Sequence, residues 1–267
     1  MHILVCAKQV PDTDQITVDP VRHTLNREGV PSILNPYDAE ALELALRLKE
    51  RCSGTVTVLS MGPVQAKAML EKCLAVGADS AWLVTGREFS GSDTLATGYA
   101  LAQAVRHLET RILGHPFDLI LCGKQAIDGD TAQTPPILAE LLGLPQITNV
   151  RDLTWEGNTI QLTRQTSRCE QVLRCALPAL VSVSATPWPL RVPTLRGKLD
   201  AKKKTLSILD AAALGLDPER CGLRGSPTRV VSTAVRAVCA SCEMLEDTQS
   251  LARLLKELTG QKGGNIP

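Results

Sequence analysis

Strand-like and helix-like runs alternate through the first half of the chain, and that alternation leaves few folds open. Ile3–Ala7 is a short apolar run of strand character, followed by a polar loop through Pro11, Asp12 and Asp14. Asn35-Pro36-Tyr37-Asp38 leads into Ala39–Arg51, where Ala41, Leu42, Ala45 and Leu48 mark one face at helical spacing. Thr55–Met61 is a β-branched strand ending at Gly62-Pro63, and Val64–Val76 is a helix with Gly77 as its C′ residue. Trp82–Val84 gives a further strand, and Ser92-Asp93-Thr94 caps a long helix reaching about Leu108. Strand Asp118–Cys122 and helix Pro135–Leu142, closed by Gly143, complete the series. Such alternation predicts an α/β, Rossmann-like fold with a mostly parallel sheet and helices on both faces.

The pattern changes after Gln146. Asn149–Trp155, Thr159–Thr163 and Gln171–Ala176, with the turn signal Glu156-Gly157-Asn158, read as an antiparallel meander added to that sheet. Ala179–Ser184 returns to a buried strand. From Pro187, three prolines (Pro187, Pro189, Pro193) and the run Lys202-Lys203-Lys204 predict an extended, exposed segment. An extended C-terminal arm follows, ending in helix Asp247–Leu258. The 267 residues are expected to divide into an α/β domain, 1–226, and an arm, 227–267.

The loop between Cys122 and Pro135 carries the chemistry. It runs Gly123, Lys124, Gln125, Ala126, Ile127, Asp128, Gly129, Asp130, Thr131, Ala132, Gln133 and Thr134. A small-residue turn between a strand end and a helix start is where parallel α/β proteins hold nucleotides: the backbone approaches closely and first-turn amides face an anion. Asp128 and Asp130 are suited to accept from ribose hydroxyls or an adenine amino group. Cys6–Pro11, Ser60–Pro63 and Ser92–Thr94 belong at the same sheet edge. Spacing alone leaves Asn35–Asp38 unplaced. Taken singly, each of these glycines and prolines is also ordinary turn punctuation.

Other classes find little support. A net charge of +1 and an aromatic content of 3% argue against nucleic-acid partners. No apolar stretch reaches the roughly 18 residues of a membrane span, and Met1–Lys8 lacks the marks of a signal peptide. A cytoplasmic protein is expected. Nine scattered cysteines fit a reducing compartment. Cys239 and Cys242 form one CxxC, either incidental thiols or a redox or metal pair without further nearby ligands. The four histidines (His2, His23, His107, His115) pair with no nucleophile, and neither GxxxxGK[ST] nor a GxGxxG after the first strand is present. No catalytic side chain and no metal site is assigned. That weighs against a hydrolase or ligase of adenylates; a flavin-free adenine-nucleotide-binding regulatory module stays as a distant alternative.

Val5–Asp12, Asn35–Asp38, Ala75-Val76-Gly77-Ala78-Asp79 and Gly123–Gln133 together resemble the β subunit of electron-transferring flavoproteins, in sequence and in order. The resemblance covers nearly the whole chain and weakens after about Val231. It implies a heterodimer with a larger α subunit that carries FAD. It places nucleotide contacts on Cys6, on Asn35, Pro36, Tyr37 and Asp38, on Met61, and on Gly123 through Thr134. It also implies docking of partner dehydrogenases at the segment holding Leu195, Arg196, Lys198, Lys202, Lys203 and Lys204, for which a solvated basic face is the plain alternative. Ser92–Thr97, Asp128–Gln133 and Arg224–Thr228 look like the electron-bifurcating branch. There FAD fills the β site, NADH is the donor, and ferredoxin or flavodoxin and an acyl-CoA dehydrogenase-type flavoenzyme are acceptors. Ser92, Thr94 and Thr97 at a helix start suit the extra phosphate of a dinucleotide, although Ser92 and Asp93 as mere caps would read the same. The conventional branch instead keeps AMP as a structural ligand. The CxxC and the arm depart from the family pattern.

Overall fold

Strand β1 (His2–Cys6) buries Ile3, Leu4 and Val5 completely, which requires cover on both of its faces. The computed structural model describes residues 1–12, 17–18, 25–26, 31–228, 244–245 and 247–260. The chain divides into two units, Met1–Ser232 and Thr233–Pro267.

In the first unit, β1 is followed by the short strands β2 (Gln9–Pro11), β3 (Thr17–Val18), β4 (Leu25–Asn26) and β5 (Ser32–Leu34). Then come α1 (Pro36–Cys52), β6 (Thr55–Met61), α2 (Lys67–Val76), β7 (Ser80–Val84), α3 (Thr94–His107), β8 (Leu119–Gly123) and α4 (Thr134–Leu142). β9 (Gln146–Glu156), β10 (Thr159–Gln165), β11 (Glu170–Ala176) and β12 (Ala179–Val183) precede α5 (Leu195–Ala201), β13 (Thr205–Leu209) and α6 (Ala211–Leu214). The main sheet has the order β11-β10-β9-β12-β8-β1-β6-β7-β13. From β9 to β13 neighbours are parallel, while β9-β10-β11 form the antiparallel meander.

Alternating residues face opposite layers. Ile3, Val5, Val58 and Leu121 pack with α1 and α2 residues such as Leu42 and Leu70, whereas Leu4, Leu59 and Ile120 pack with α3 and α4 residues such as Ala100 and Leu138. A fully buried aliphatic side chain contributes about 1.5–3 kcal/mol, against at most about 1 kcal/mol for an exposed ion pair. These two layers, not surface pairs such as Arg224–Glu219, hold the fold.

The expected α/β architecture is present, with one correction. The stretch after Pro187 is not extended throughout. Thr194 caps α5 by accepting from the Gly197 amide at 2.9 Å, and β13 then adds to β7 as a parallel edge strand. Its burial is partial, so it lacks the continuous apolar run that marks the central strands. In the second unit α7 spans Thr248–Gly260; Cys239, Cys242, His23 and Asp14 lie outside the described residues. Among the described residues no helix is long and apolar enough to cross a membrane.

Candidate nucleotide site

The chain runs from β1 through β6 to β7 on one side, then returns to β8 on the other side of β1. This reversal opens a crevice beyond the carboxyl ends of β1 and β8, the usual ligand position in open α/β sheets. Asp38, in the first turn of α1, sits there. Its Oδ2 accepts from the Lys8 amide at 2.8 Å and its Oδ1 from the Gly123 amide at 3.0 Å. Burial pushes this carboxyl up to about 7, against the opposing pull of hydrogen bonds from Lys8, Asn35 and Gly123 and of the Lys8 charge.

Asn35 is brought in by a two-stranded sheet. β2 pairs antiparallel with β5, Gln9 opposite Leu34, and the Asn35 amide donates to Lys8 O at 2.9 Å. The buried Asn35 side chain donates to Gln125 O at 2.8 Å and accepts from Ile127 N at 3.2 Å. It therefore stands in for a strand partner to the loop after β8. Asn35→Ala is expected to leave those two loop groups unpaired, lowering stability by about 1–3 kcal/mol. Denaturant unfolding together with nucleotide content after purification checks this, and retention of both at the parental level would contradict it.

The loop turns on Ala126 O, which accepts from Gly129 N at 3.2 Å and Asp130 N at 2.9 Å. Asp130 and Ala132 both adopt left-handed conformations, φ 52° and 53°. Asp tolerates this region through local hydrogen bonds, here with Gln125 Nε2 on Asp130 Oδ1 at 2.7 Å. Ala132 has no polar side chain to offset its strain, of order 1 kcal/mol, so its surroundings must hold it. Lys8 Nζ bridges to Asp128 at 2.7 and 2.9 Å.

The starts of α3 and α4 meet at the same place. Thr94 opens α3 and donates to the side-chain oxygen of Gln133, which precedes α4, at 3.1 Å. Asp93 caps α3, accepting from the Leu95 and Ala96 amides at 3.0 Å. Its other oxygen accepts from Thr228 N and Oγ1 at 3.1 and 2.8 Å; these donors hold the carboxyl below its usual range although burial opposes them. A cavity of about 380 Å³ is lined by Cys6, Lys8, Asn35, Met61, Thr94, Thr97, Thr131 and Thr134 among others.

An electron transfer flavoprotein domain model matches residues 23–214. The chain is 50% identical over 231 residues to the electron transfer flavoprotein subunit beta of Megasphaera elsdenii, covering 86% of each protein. The chain belongs to the electron transfer flavoprotein β-subunit family. It is also 45% identical to protein FixA of Azorhizobium caulinodans, over 97% of this chain and 94% of that one. Subunit CarD of the caffeyl-CoA reductase–Etf complex of Acetobacterium woodii is 42% identical, over 96% and 98%.

Of the residues expected from the sequence, Cys6, Asn35, Asp38, Met61, Ser92, Thr94, Thr97, Gly123, Gln125, Ala126, Gly129, Asp130, Thr131, Ala132 and Thr134 line this electron transfer flavoprotein cavity. Pro36, Tyr37, Lys124, Ile127, Asp128 and Gln133 do not form its wall. Pro36 opens α1, and the Lys124 and Ile127 amides bond to Val183 O and Asn35 Oδ1. The Ser92 hydroxyl donates to Phe89 O at 2.8 Å. Phe89, Gly91, Leu101 and Leu138 also line the cavity without having been marked by sequence; as apolar or small residues they resemble core positions. Leu195, Arg196, Lys198, Lys202 and Lys203 are exposed on and after α5, while Lys204 Nζ donates to Leu74 O and Ala78 O at 3.1 and 2.6 Å. The Lys204 ammonium thus caps the end of α2 and is not free on that face.

Proposed function

We propose that this chain is the β subunit of an electron-bifurcating electron transfer flavoprotein, paired with an α subunit. The heterodimer takes electrons from NADH and divides them between ferredoxin or flavodoxin and an acyl-CoA dehydrogenase-type flavoenzyme. One observation carries the choice of FAD over AMP: hydroxyls from the starts of α3 and α4 (Thr94, Thr97 and Thr134) and from Thr131 line one cavity, and Thr94 bonds Gln133 across the two helix starts. Several neutral hydroxyl donors around one cavity suit the oxygens of a diphosphate better than those of a single phosphate.

The residues present fit such a ligand. Thr94, Thr97, Thr131 and Thr134 offer hydroxyls, Lys8 an ammonium already paired with Asp128, and the nearest helix-capping carboxylate, Asp93, is committed to four donors. Lys8, Gln125 and Ala126 would hold the adenosine end, and Thr94, Thr97 and Thr134 the phosphates. FAD bound here, with a second FAD on the α subunit, supplies the redox chemistry. The chain's own groups would bind it and orient it. Val192, Leu195 and Leu199 are exposed apolar residues beside Arg196, Lys198, Lys202 and Lys203, and this mixed face would dock the dehydrogenase partner.

Nucleotide content tests the reading. The heterodimer, purified from co-expression with its α subunit and extracted with acid, is expected to release two FAD per αβ pair. One FAD with one AMP would overturn bifurcation and leave the conventional shuttle.

A further inference from the structure

Cys6 and Cys122 end neighbouring parallel strands and stand directly opposite each other in the β1–β8 register. Both are free thiols, and both line the cavity, Cys122 almost fully buried and Cys6 more accessible. Neighbouring strands lie about 4.8 Å apart, inside the Cα separation of about 4.4–6.8 Å that a disulfide spans. Among the described residues, no other two cysteines are paired across strands.

We propose that Cys6 and Cys122 form a thiol/disulfide couple on the floor of the nucleotide cavity, open to peroxide when the cavity is empty and shielded when it is filled. The shielding rests on the reading of this cavity as a nucleotide site; the couple itself rests only on the strand register. The thiolate of Cys6 attacks one oxygen of hydrogen peroxide, breaking the O–O bond and releasing hydroxide, to give a sulfenic acid. The Cys122 sulfur then attacks the Cys6 sulfur, the S–O bond breaks, and water leaves with the Cys122 proton. In sum two thiols and one peroxide give one disulfide and two waters, the couple losing two electrons. The roles follow from access. The neighbouring Cys6 thiol, and then burial, push the Cys122 thiol well above its usual range, and Cys6 is the more accessible of the two, so Cys6 attacks and Cys122 resolves. The bond ties together the ends of β1 and β8, close to the Lys8 and Gly123 amides that Asp38 holds.

The test is peroxide treatment of the nucleotide-depleted heterodimer, then alkylation, trypsin digestion and mass spectrometry. Tryptic fragments Met1–Lys8 and Ile112–Lys124 carry one cysteine each and are expected as a linked pair, two hydrogens lighter than their sum. Refilling with FAD at about 100 times its Kd leaves about 1% of sites open, so linkage should slow about a hundredfold. Cys122→Ser is expected to leave Cys6 trapped as a dimedone adduct that the parent protein does not accumulate. Oxidation elsewhere without this linked pair, or no adduct in the variant, overturns the couple. Linkage at equal rates with and without FAD supports the couple and counts against the nucleotide reading.

Discussion

Gly123→Ala is expected to destabilise the protein by about 3 kcal/mol, at the upper end of the overpacking range, and to abolish nucleotide retention. The cause is the close approach of α1 to the end of β8. A Cβ at position 123 would lie 2.6 Å from the Asp38 amide nitrogen and 2.6 Å from the Tyr37 carbonyl carbon, and would collide with Asp38 Oδ1. Two of these contacts are backbone, so relief requires α1 to move away from the sheet. That movement breaks the Gly123 N to Asp38 bond and draws Asp38 from Lys8. Gly129→Ala in the same loop is the internal control: a Cβ there meets nothing within 4 Å, and a stability change within about 0.5 kcal/mol is expected. Denaturant midpoints of the two variants, at fixed heterodimer concentration, decide the matter. Equal midpoints would remove the close-approach explanation for Gly123.

Much of this arrangement was legible in the residues. The alternation of Thr55–Met61 with helical spacing in Ala39–Arg51 carried the α/β reading, because buried central strands are continuous apolar runs. Glu156-Gly157-Asn158 marked the meander because hairpin turns need particular residues. β13 was not legible: it is a half-buried edge strand behind a lysine run, where one face meets solvent and apolar continuity is not required. Asn35 shows the other limit. Its chemistry as a small amide before Pro36 was visible, but its position depends on β2 pairing with β5, a contact spanning some 23 residues that local spacing cannot encode. Phe89, Leu101 and Leu138 line the cavity yet carry no chemical signature, since an apolar wall looks like core. Lys204 erred in the opposite sense: in sequence it belongs to the basic run Lys202–Lys204, but its ammonium reaches two α2-end carbonyls.

The second large effect is one of pH. Burial places the folded-state Asp38 carboxyl at about 7, against an ordinary value of 3.8. Between those values the folded protein binds a proton that the unfolded chain has released, so stability falls as pH rises through this window. The window is about three pH units wide, and at about 1.4 kcal/mol per unit the loss amounts to roughly 4 kcal/mol, complete above pH 7. The groups around Asp38 set this balance: Lys8 and the Asn35 and Gly123 bonds favour the charge, while burial opposes it more strongly. Asp38→Asn removes the titration. Its carbonyl oxygen can accept from one of the two amides while its own NH2 faces the other, so it should be less stable than the parent at pH 5, by about 1–3 kcal/mol. That deficit should shrink or reverse by pH 8. Asp93 and Glu43, held low by their donors, lose stability only as pH falls below their ordinary values. They are common to both proteins and cancel in the difference. Nucleotide-free heterodimer unfolded at pH 5 and pH 8 gives the four midpoints required; parallel pH dependence in parent and variant would show that Asp38 is ionised throughout.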